Sequence, residues 1–227
     1  MNYNQPEVSV QRIGHEGEPV VTIDGFTGDV DRLRAWGASA RYEEAGADYP
    51  GLRAMADPGY LDMRRDLMMQ IVGRVFGCTR SIQCEICAFS LVTLAHEELS
   101  PRQCIPHHDH SDAGRVAIMH YTKGAESGGT AFYRHKRTGF EAITPEREKA
   151  FHAGLVQDQL AFGDPQRRYP YGDSDRFEMI GEVEARPDRM VLYRGRLLHS
   201  GVIPDPAALS PDPLKGRLTL NLFLFGT

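Results

Sequence analysis

Residues 217–225 read RLTLNLFLF, and this stretch decides the class of fold. Leucine recurs at every second position from 218 to 224, while Arg217, Thr219 and Asn221 take the alternate positions. Because side chains of a β-strand alternate between its two faces, the run predicts a strand with one face in an apolar core. The other face leaves two interpretations of Arg217. It is either exposed at the start of the strand or a buried guanidinium that awaits a carboxylate, with a hydroxyl beside it.

Upstream of this strand, short apolar runs separated by turn residues predict a long β-section that begins near residue 82. The segments before it predict a strand over 19–26 that ends at Gly25 and a helix over 29–40. They also predict a second helix that Asp57 caps, Pro58 opens and Gly77 ends. We therefore expect one domain over 1–227, mainly β with flanking helices, in which the support elements of 1–81 precede a β-sandwich or jelly-roll core at 82–227. The predicted core strands are 82–94, 115–122, 130–134, 176–185, 189–195 and 217–225.

An insertion at about 135–175 interrupts the strands. Residues 144–155 predict a helix, and 158–175 are polar and rich in glycine, proline and aromatic residues. A surface excursion and a cover over a pocket are equally good interpretations. If it is a cover, 158–175 is where we expect substrate contacts, from Arg167, Arg168, Tyr169 and Tyr171.

Composition restricts the partners. The formal net charge is −5, with 26 basic and 31 acidic residues, which argues against nucleic-acid binding. The first residues lack the pattern of a signal peptide, and no apolar run approaches the length of a membrane helix, so we expect a cytoplasmic protein. The four cysteines should then be reduced. Cys84 and Cys87 lie three apart in a predicted strand and should point to opposite faces, which favours buried thiols over a zinc site.

Residues 106–112, PHHDHSD, suggest a metal site. His107 and Asp109 share one face of an extended segment, and His110 and Asp112 form a second pair of the same kind. His199, within an apolar run, is the best third ligand. Each piece alone is common in proteins without a metal. Together, two histidines and one carboxylate match the facial triad of non-haem Fe(II) oxygenases.

The motifs PHHD (106–109), GGTAFY (128–133), LLHSG (197–201) and RLT (217–219) together resemble the Fe(II)/2-oxoglutarate-dependent dioxygenase superfamily, and most closely its prolyl-4-hydroxylase-like branch. The similarity covers roughly residues 82–227. It implies a double-stranded β-helix, a jelly roll related to cupins, with Fe(II) as cofactor and 2-oxoglutarate and O₂ as cosubstrates.

The resemblance also assigns residues. His107, Asp109 and His199 match the metal ligands, and His107 rather than His110 follows the apolar approach that the motif requires. Arg217 matches the residue that pairs with the far carboxylate of 2-oxoglutarate, and Thr219 matches the hydroxyl position of the same element. Lys215 is a rival anchor, although strand parity favours Arg217. The tyrosine that relatives place before the proximal histidine is absent, and Tyr121 or Tyr133 are candidates for a second contact.

The implied activity is hydroxylation of an amino acid, a peptide or protein side chain, or a small metabolite. The presence of Asp109 favours hydroxylation over halogenation, which usually lacks the carboxylate ligand. Two alternatives remain open. A cupin-like metal protein would not use 2-oxoglutarate, so Arg217 would not affect a cosubstrate. A non-catalytic barrel that binds a ligand would keep that binding without His107 and His199. The sequence leaves the oligomeric state open.

Overall fold

The computed structural model describes residues 5–46 and 48–227. Within these residues the chain forms eleven β-strands and three α-helices. In chain order they are β1 Glu7–Ile13, β2 Glu18–Asp24, α1 Val30–Ala38, β3 Glu43–Glu44, β4 Gly51–Met55, α2 Arg65–Phe76, β5 Ile82–Val92, β6 Arg115–Tyr121, β7 Gly129–His135, α3 Pro145–Phe162, β8 Phe177–Glu184, β9 Met190–Arg194, β10 His199–Val202 and β11 Arg217–Gly226.

Two antiparallel sheets face each other. The larger has the order β1-β2-β9-β6-β11-β5-β4-β3, and the smaller has the order β10-β7-β8. Neighbours in the larger sheet are distant in sequence, since β11 lies between β5 and β6. This is the jelly roll, or double-stranded β-helix, that the sequence predicted, and β11 is at its centre.

The alternation in β11 separates a structural face from a polar one, as predicted. Leu218, Leu220, Leu222 and Leu224 are all buried in one core with side chains of α1 and α2. Burying one such leucine contributes about 1.5–3 kcal/mol, so this face fixes the helices on the outside of the larger sheet. The opposite face of β11, with Arg217, Thr219 and Asn221, points into the space between the two sheets.

The second predicted helix is divided into two parts. Asp57 accepts a hydrogen bond from the backbone of Gly59, and Pro58–Arg64 form 3₁₀ turns before α2 begins at Arg65. Gly77 ends α2 with a φ of 75°, a left-handed conformation that suits glycine. The predicted start and stop signals are therefore both used, with a tighter first turn than an α-helix has.

The insertion between β7 and β8 contains a helix longer than predicted, since α3 extends to Phe162. It is fastened to the small sheet by a buried network. His135 Nε2 lies 2.8 Å from Asp158 Oδ2, and its Nδ1 lies 2.9 Å from Thr138 Oγ1. Arg137 also donates to Asp158. The insertion is thus a packed part of the domain, not a loose surface excursion.

Three strands were not predicted at all, β10 was recognised only as the apolar run around His199, and one expectation about the cysteines is wrong. The missed strands are β1, β3 and β4, which are short or exposed edge elements. In β5 the register against β11 shifts, so that Cys84 pairs with Leu224 while Cys87 pairs with Leu222. Because this β-bulge adds one residue, both thiols turn to the same core and do not diverge. No helix in the described part of the chain is both long and apolar enough to cross a membrane.

Candidate metal centre and adjoining cavity

A pair of short backbone bridges positions the three predicted metal ligands. His107 and His199 form a two-way bridge, with N–O distances of 3.0 and 2.8 Å. The backbone N–H of Asp109 donates to Gly195 O at 2.7 Å. The loop with the proximal pair is therefore held against the segment that enters β10, and strand pairing sets the relative positions of the three ligands.

The side chains of His107, Asp109 and His199 converge. One ligand atom from each lies within 4.8 Å of the others. Among the described residues, no other group of three or more histidine, cysteine, aspartate or glutamate side chains converges in this way. His107 Nε2 is 3.8 Å from Asp109 Oδ1, and His199 Nε2 is 3.5 Å from Asp109 Oδ2. These separations are longer than hydrogen bonds, so they leave space between the donor atoms.

Desolvation governs the charges of the cluster. It lowers the pKa of His199 to about 4, and together with the charge of His199 it lowers the pKa of His107 to about 4. It raises the pKa of Asp109 to about 6, against the opposing charges of His107 and Arg53. Near neutral pH both imidazoles are therefore neutral, which is the form that ligates metals, and the carboxylate is ionised at the cavity surface, where Asp109 and His107 remain accessible to a ligand.

The hydrogen bonding of His199 fits the same use. Its Nδ1 lies 2.8 Å from Leu197 O, which only accepts, so Nδ1 holds the hydrogen and Nε2 presents a lone pair to the cluster. The ring of Tyr193 packs edge-on against the imidazole at 4.8 Å and limits its rotation. Two imidazole nitrogens and a carboxylate on one side of a space are a donor set that suits a first-row divalent metal.

The rival pair His110 and Asp112 lies outside the cluster. The backbone N–H of Asp112 donates to His110 Nδ1 at 3.0 Å, and Asp112 Oδ1 accepts from Gly114 at 2.7 Å. These side chains therefore stabilise the turn before β6. His108, between the two ligands of the proximal pair, turns toward α3, where its ring lies 5.8 Å from that of Phe151.

The cluster opens into a cavity of about 780 Å³. Its walls come from both sheets, from the segment before β4 and from α3. A volume of this size accommodates a small-molecule ligand together with a second small molecule. The described residues at its surface include Tyr49, Arg53, His108, Met119, Phe151, His152, Leu155, Tyr169, Ile203, Arg217 and Asn221.

Arg217 points into this cavity, as one of the two sequence interpretations predicted. Its residue is 6% exposed, and its Nε and Nη2 donate to the carbonyls of Ser127 and Gly129. A Cβ built on Gly201 would lie 3.7 Å from Arg217 Nη2, so the strand that carries His199 passes directly beside the guanidinium. The rival Lys215 is 79% exposed and lies 3.5 Å from Asp212, outside the cavity.

Several hydroxyl and amide oxygens near Arg217 are buried without a hydrogen-bond partner. Thr219 Oγ1 and Ser90 Oγ face the same side of the sheet, because the two residues are directly opposite in the β11–β5 ladder. Asn221 Oδ1 is also without a partner, and the hydroxyls of Tyr49 and Ser90 lie next to each other in the same region. Unsatisfied buried polar atoms are costly, and their concentration here marks a position for a polar ligand.

The two tyrosines predicted as second contacts lie in different places. Tyr121 is directly opposite Thr219 in the β11–β6 ladder, and its hydroxyl is already bonded to Thr130 Oγ1 at 2.7 Å. Tyr133 lines a separate cavity of about 410 Å³ beside the insertion. The tyrosine that sequence reasoning missed is Tyr49, whose ring lies against Arg53 and whose signal was hidden in a turn before an unrecognised strand.

The segment 158–175 contributes to both cavities. Tyr169 is buried in the wall of the larger one and donates to Leu94 O at 2.7 Å. Arg168 and Tyr171 line the smaller one. Arg167 lies on the surface and donates to Glu97 O at 2.7 Å. Of the four residues proposed for substrate contact, the structure thus brings Tyr169 into the cavity with the metal cluster.

The sequence matches the family model described as "Family of unknown function (DUF6445)" over residues 4–224. The chain therefore belongs to this family. No curated protein matches it in sequence.

Solved structures share the fold at low sequence identity. HygX from Streptomyces hygroscopicus, crystallised with nickel and 2-oxoglutarate, has a TM-score of 0.50 and 13% identity over 92% of this chain and 83% of HygX. The non-heme alpha ketoglutarate dependent carbocyclase SnoK from nogalamycin biosynthesis has a TM-score of 0.54 and 12% identity over 93% and 81%. The epimerase SnoN from the same biosynthesis has values of 0.50 and 14% over 92% and 79%. At these identities the likeness establishes the jelly-roll fold.

Proposed function

We propose that this DUF6445 member is an Fe(II)- and 2-oxoglutarate-dependent oxygenase, most simply a hydroxylase of an amino acid, a peptide or protein side chain, or a small metabolite. The observation that carries the proposal is the convergence of His107, Asp109 and His199 within 4.8 Å at the wall of a cavity that also contains Arg217. The neighbours that bind or depend on 2-oxoglutarate agree with it. Its placement in the prolyl-4-hydroxylase-like branch, and in the cytoplasm, is part of the proposal.

At the metal end, the two imidazoles and the carboxylate would hold Fe(II) from one side. Neutral Nε2 of His199 is already oriented by its Nδ1–Leu197 bond, so little reorganisation precedes binding. With O₂ and 2-oxoglutarate, iron supplies the oxidation of a substrate C–H bond coupled to decarboxylation of the cosubstrate. The protein needs no nucleophile or general base for this chemistry.

At the other end, Arg217 would bind the far carboxylate of 2-oxoglutarate. The guanidinium is buried and forms no ion pair with a carboxylate among the described residues, so a ligand anion would supply the missing counter-charge. Thr219 adds a hydroxyl that lacks a partner in the same region, and the hydroxyls of Ser90 and Tyr49 lie near it. His199 and Gly201 share one face of β10, which puts the anchor about 7 Å along the strand from the metal end, a span that suits a five-carbon dicarboxylate.

The cavity walls would then position the substrate and limit access of water. Phe151, Leu155 and Tyr169 provide apolar surface from the insertion, and the His135–Asp158 network holds α3 in place. Excluding water protects an oxidising centre from side reactions. This interpretation makes the insertion a cover over the site.

The test is an anaerobic titration of the Fe(II)-loaded protein with 2-oxoglutarate, followed by the visible charge-transfer band of the chelate. We expect a saturable band in the wild type, no band in His199→Ala, and an affinity about 10- to 100-fold weaker in Arg217→Ala. His110→Ala is the matched control, since His110 is a nearby histidine outside the cluster, and it should keep the wild-type band.

The alternatives give different results. A metal protein that does not use 2-oxoglutarate would bind Fe(II) through His107 and His199 without a band. A non-catalytic barrel would show neither. A band that survives in His199→Ala would contradict the proposed ligand set, and equal affinities of the wild type and Arg217→Ala would contradict the proposed anchor.

A further inference from the structure

A second guanidinium enters the cavity and is not used by the proposed cosubstrate site. Arg53 on β4 places its Cζ 4.4 Å from the centre of the Tyr49 ring. Its Nε is buried without a hydrogen-bond partner, and the side chain forms no ion pair with a carboxylate of the described residues. The residue as a whole is only partly buried, and the carboxylate on which its charge acts, Asp109, belongs to the proposed metal cluster and makes no direct ion pair with it. An unpaired donor without a direct counter-ion favours an anion from outside the chain.

The register places Arg53 away from Arg217 and on the same face of the sheet. Arg53 is opposite Ser90, and Ser90 is opposite Thr219. Directly opposite residues point the same way, and two strand spacings separate Arg53 from Thr219 by about 10 Å. Arg217 lies two residues before Thr219 on the same face of β11. The two guanidinium groups therefore serve different parts of one cavity.

The charge of the cavity differs from that of the chain. The chain carries a formal net charge of −5. The charged groups at the cavity surface are Arg53, Arg102 and Arg217 against Asp48 and Asp109. Asp109 belongs to the metal cluster and Arg217 to the cosubstrate site. Arg53 and the exposed Arg102 then remain against Asp48, which leaves an excess of one positive charge.

Other parts of the cavity wall add an apolar requirement. Met119, Phe151, Leu155 and Ile203 contribute to the same cavity. We propose that Arg53 binds a carboxylate of the primary substrate, and that the substrate class is a small carboxylic acid with an apolar body. This inference rests on the proposed function, because it identifies the substrate class of the same site. It favours a free acid over an internal side chain of a folded protein.

The test compares two probes that differ in charge and little in shape, 3-phenylpropanoate and 3-phenylpropanamide. Each is titrated by calorimetry into protein loaded with Ni²⁺ and 2-oxoglutarate, and also into protein loaded with Ni²⁺ alone. For the wild type we expect the acid to bind at least about tenfold more tightly than the amide, since hydrogen bonds to a charged group are the stronger kind. Arg53→Gln should reduce this preference to less than about twofold.

Two further variants separate the role of Arg53 from general effects. Arg53→Lys keeps the charge and loses the planar donor pair, so it should keep part of the preference. Arg102→Gln removes an exposed arginine of the same cavity and should keep the wild-type preference. Thermal unfolding and nickel stoichiometry of each variant establish that it is folded with an intact metal cluster, and Arg53→Lys carries the test if Arg53→Gln does not fold.

The inference is overturned if the wild type shows no saturable acid binding or no preference for the acid, or if the preference persists in Arg53→Gln. It is also overturned if Arg53→Gln weakens 2-oxoglutarate binding by tenfold or more, since Arg53 would then belong to the cosubstrate site. Failure of the proposed function is a separate result. In that case no Fe(II)–2-oxoglutarate band forms, while the acid preference in protein with Ni²⁺ alone still reports on Arg53.

Discussion

Two kinds of histidine–aspartate pair occur in this chain, and the difference between them is the distance between donor and acceptor. His120 with Asp188 and His135 with Asp158 are in direct contact, at 2.9 and 2.8 Å. In the metal cluster, Asp109 lies 3.5 Å or more from both imidazoles. The close pairs satisfy each other and brace the fold. The separated set leaves its lone pairs and its charge for a ligand, so the same residue types indicate a brace in one place and a metal site in another.

The brace at Asp188 is the most extensively bonded. Its carboxylate accepts from the backbone of Thr27 and Gly28, from Thr27 Oγ1 and from His120 Nε2. It thereby ties the turn after β8 to the loop before α1. Asp188 also has a φ of 62°. It is the one non-glycine residue with a positive φ among the described residues.

The largest effect expected is therefore on stability, from Asp188→Ala. The variant leaves several buried donors unpaired and puts alanine in a left-handed conformation, so we expect a loss of about 3–5 kcal/mol in the free energy of unfolding. Urea denaturation measures it. Asp188→Asn, which tolerates the backbone conformation and keeps one acceptor oxygen, should lose less. A loss under 1 kcal/mol for the alanine variant would refute the description of this pair as a brace.

Asp109→Ala should weaken metal binding and leave the stability of the metal-free protein unchanged. It removes one of the three proposed ligands, and we expect Ni²⁺ affinity to fall by at least about 100-fold, equivalent to ~2.7 kcal/mol. The metal-free protein should keep its stability, because Asp109 is an exposed residue whose carboxylate forms no hydrogen bond with the described residues. Calorimetric titration with Ni²⁺ and urea denaturation of the metal-free protein give the two readings. Unchanged affinity would remove Asp109 from the ligand set.

The second brace should make stability depend on pH. Burial lowers the pKa of His135 below its ordinary value, against the effect of Asp158. The unfolded chain then binds more protons than the folded one as pH falls below about 6.5, so His135 contributes stability above that pH which is lost on acidification. His135→Gln should reduce the slope of unfolding free energy between pH 6.5 and 5, by at most about 1.4 kcal/mol per pH unit. An identical slope in the two proteins would contradict this account.

The smallest effect compares two threonines. Thr138 Oγ1 bonds to His135, whereas Thr219 Oγ1 is buried without a partner. Thr138→Val should cost about 0.5–1.5 kcal/mol, and Thr219→Val should be neutral or slightly stabilising in the metal-free protein. Thermal unfolding of both variants measures the contrast. If Thr219→Val were the more destabilising of the two, its hydroxyl would be a structural group and not part of a ligand site.

Much of the fold was predictable because it follows from local pattern. The alternation in 217–225 identified β11 and its two faces, and Asp57, Pro58 and Gly77 identified the limits of the second helical segment. The strands β1, β3 and β4 escaped prediction, because β1 is an exposed edge strand and β3 and β4 are short, so they have little apolar alternation to detect. The bulge that turns Cys84 and Cys87 to one core depends on register, which parity within a single strand does not reveal.

The sequence by itself predicted which residues form the proposed metal cluster and the proposed cosubstrate anchor. His107, Asp109, His199 and Arg217 follow from residue types, strand parity and the resemblance that their motifs carry, because those motifs lie in segments whose local conformation is regular. Only the tertiary structure decided what surrounds them. Arg53 and Tyr49 reach the cavity because β4 pairs with β5 in one particular register. Such contacts join positions far apart in the chain, and no local periodicity encodes their distance.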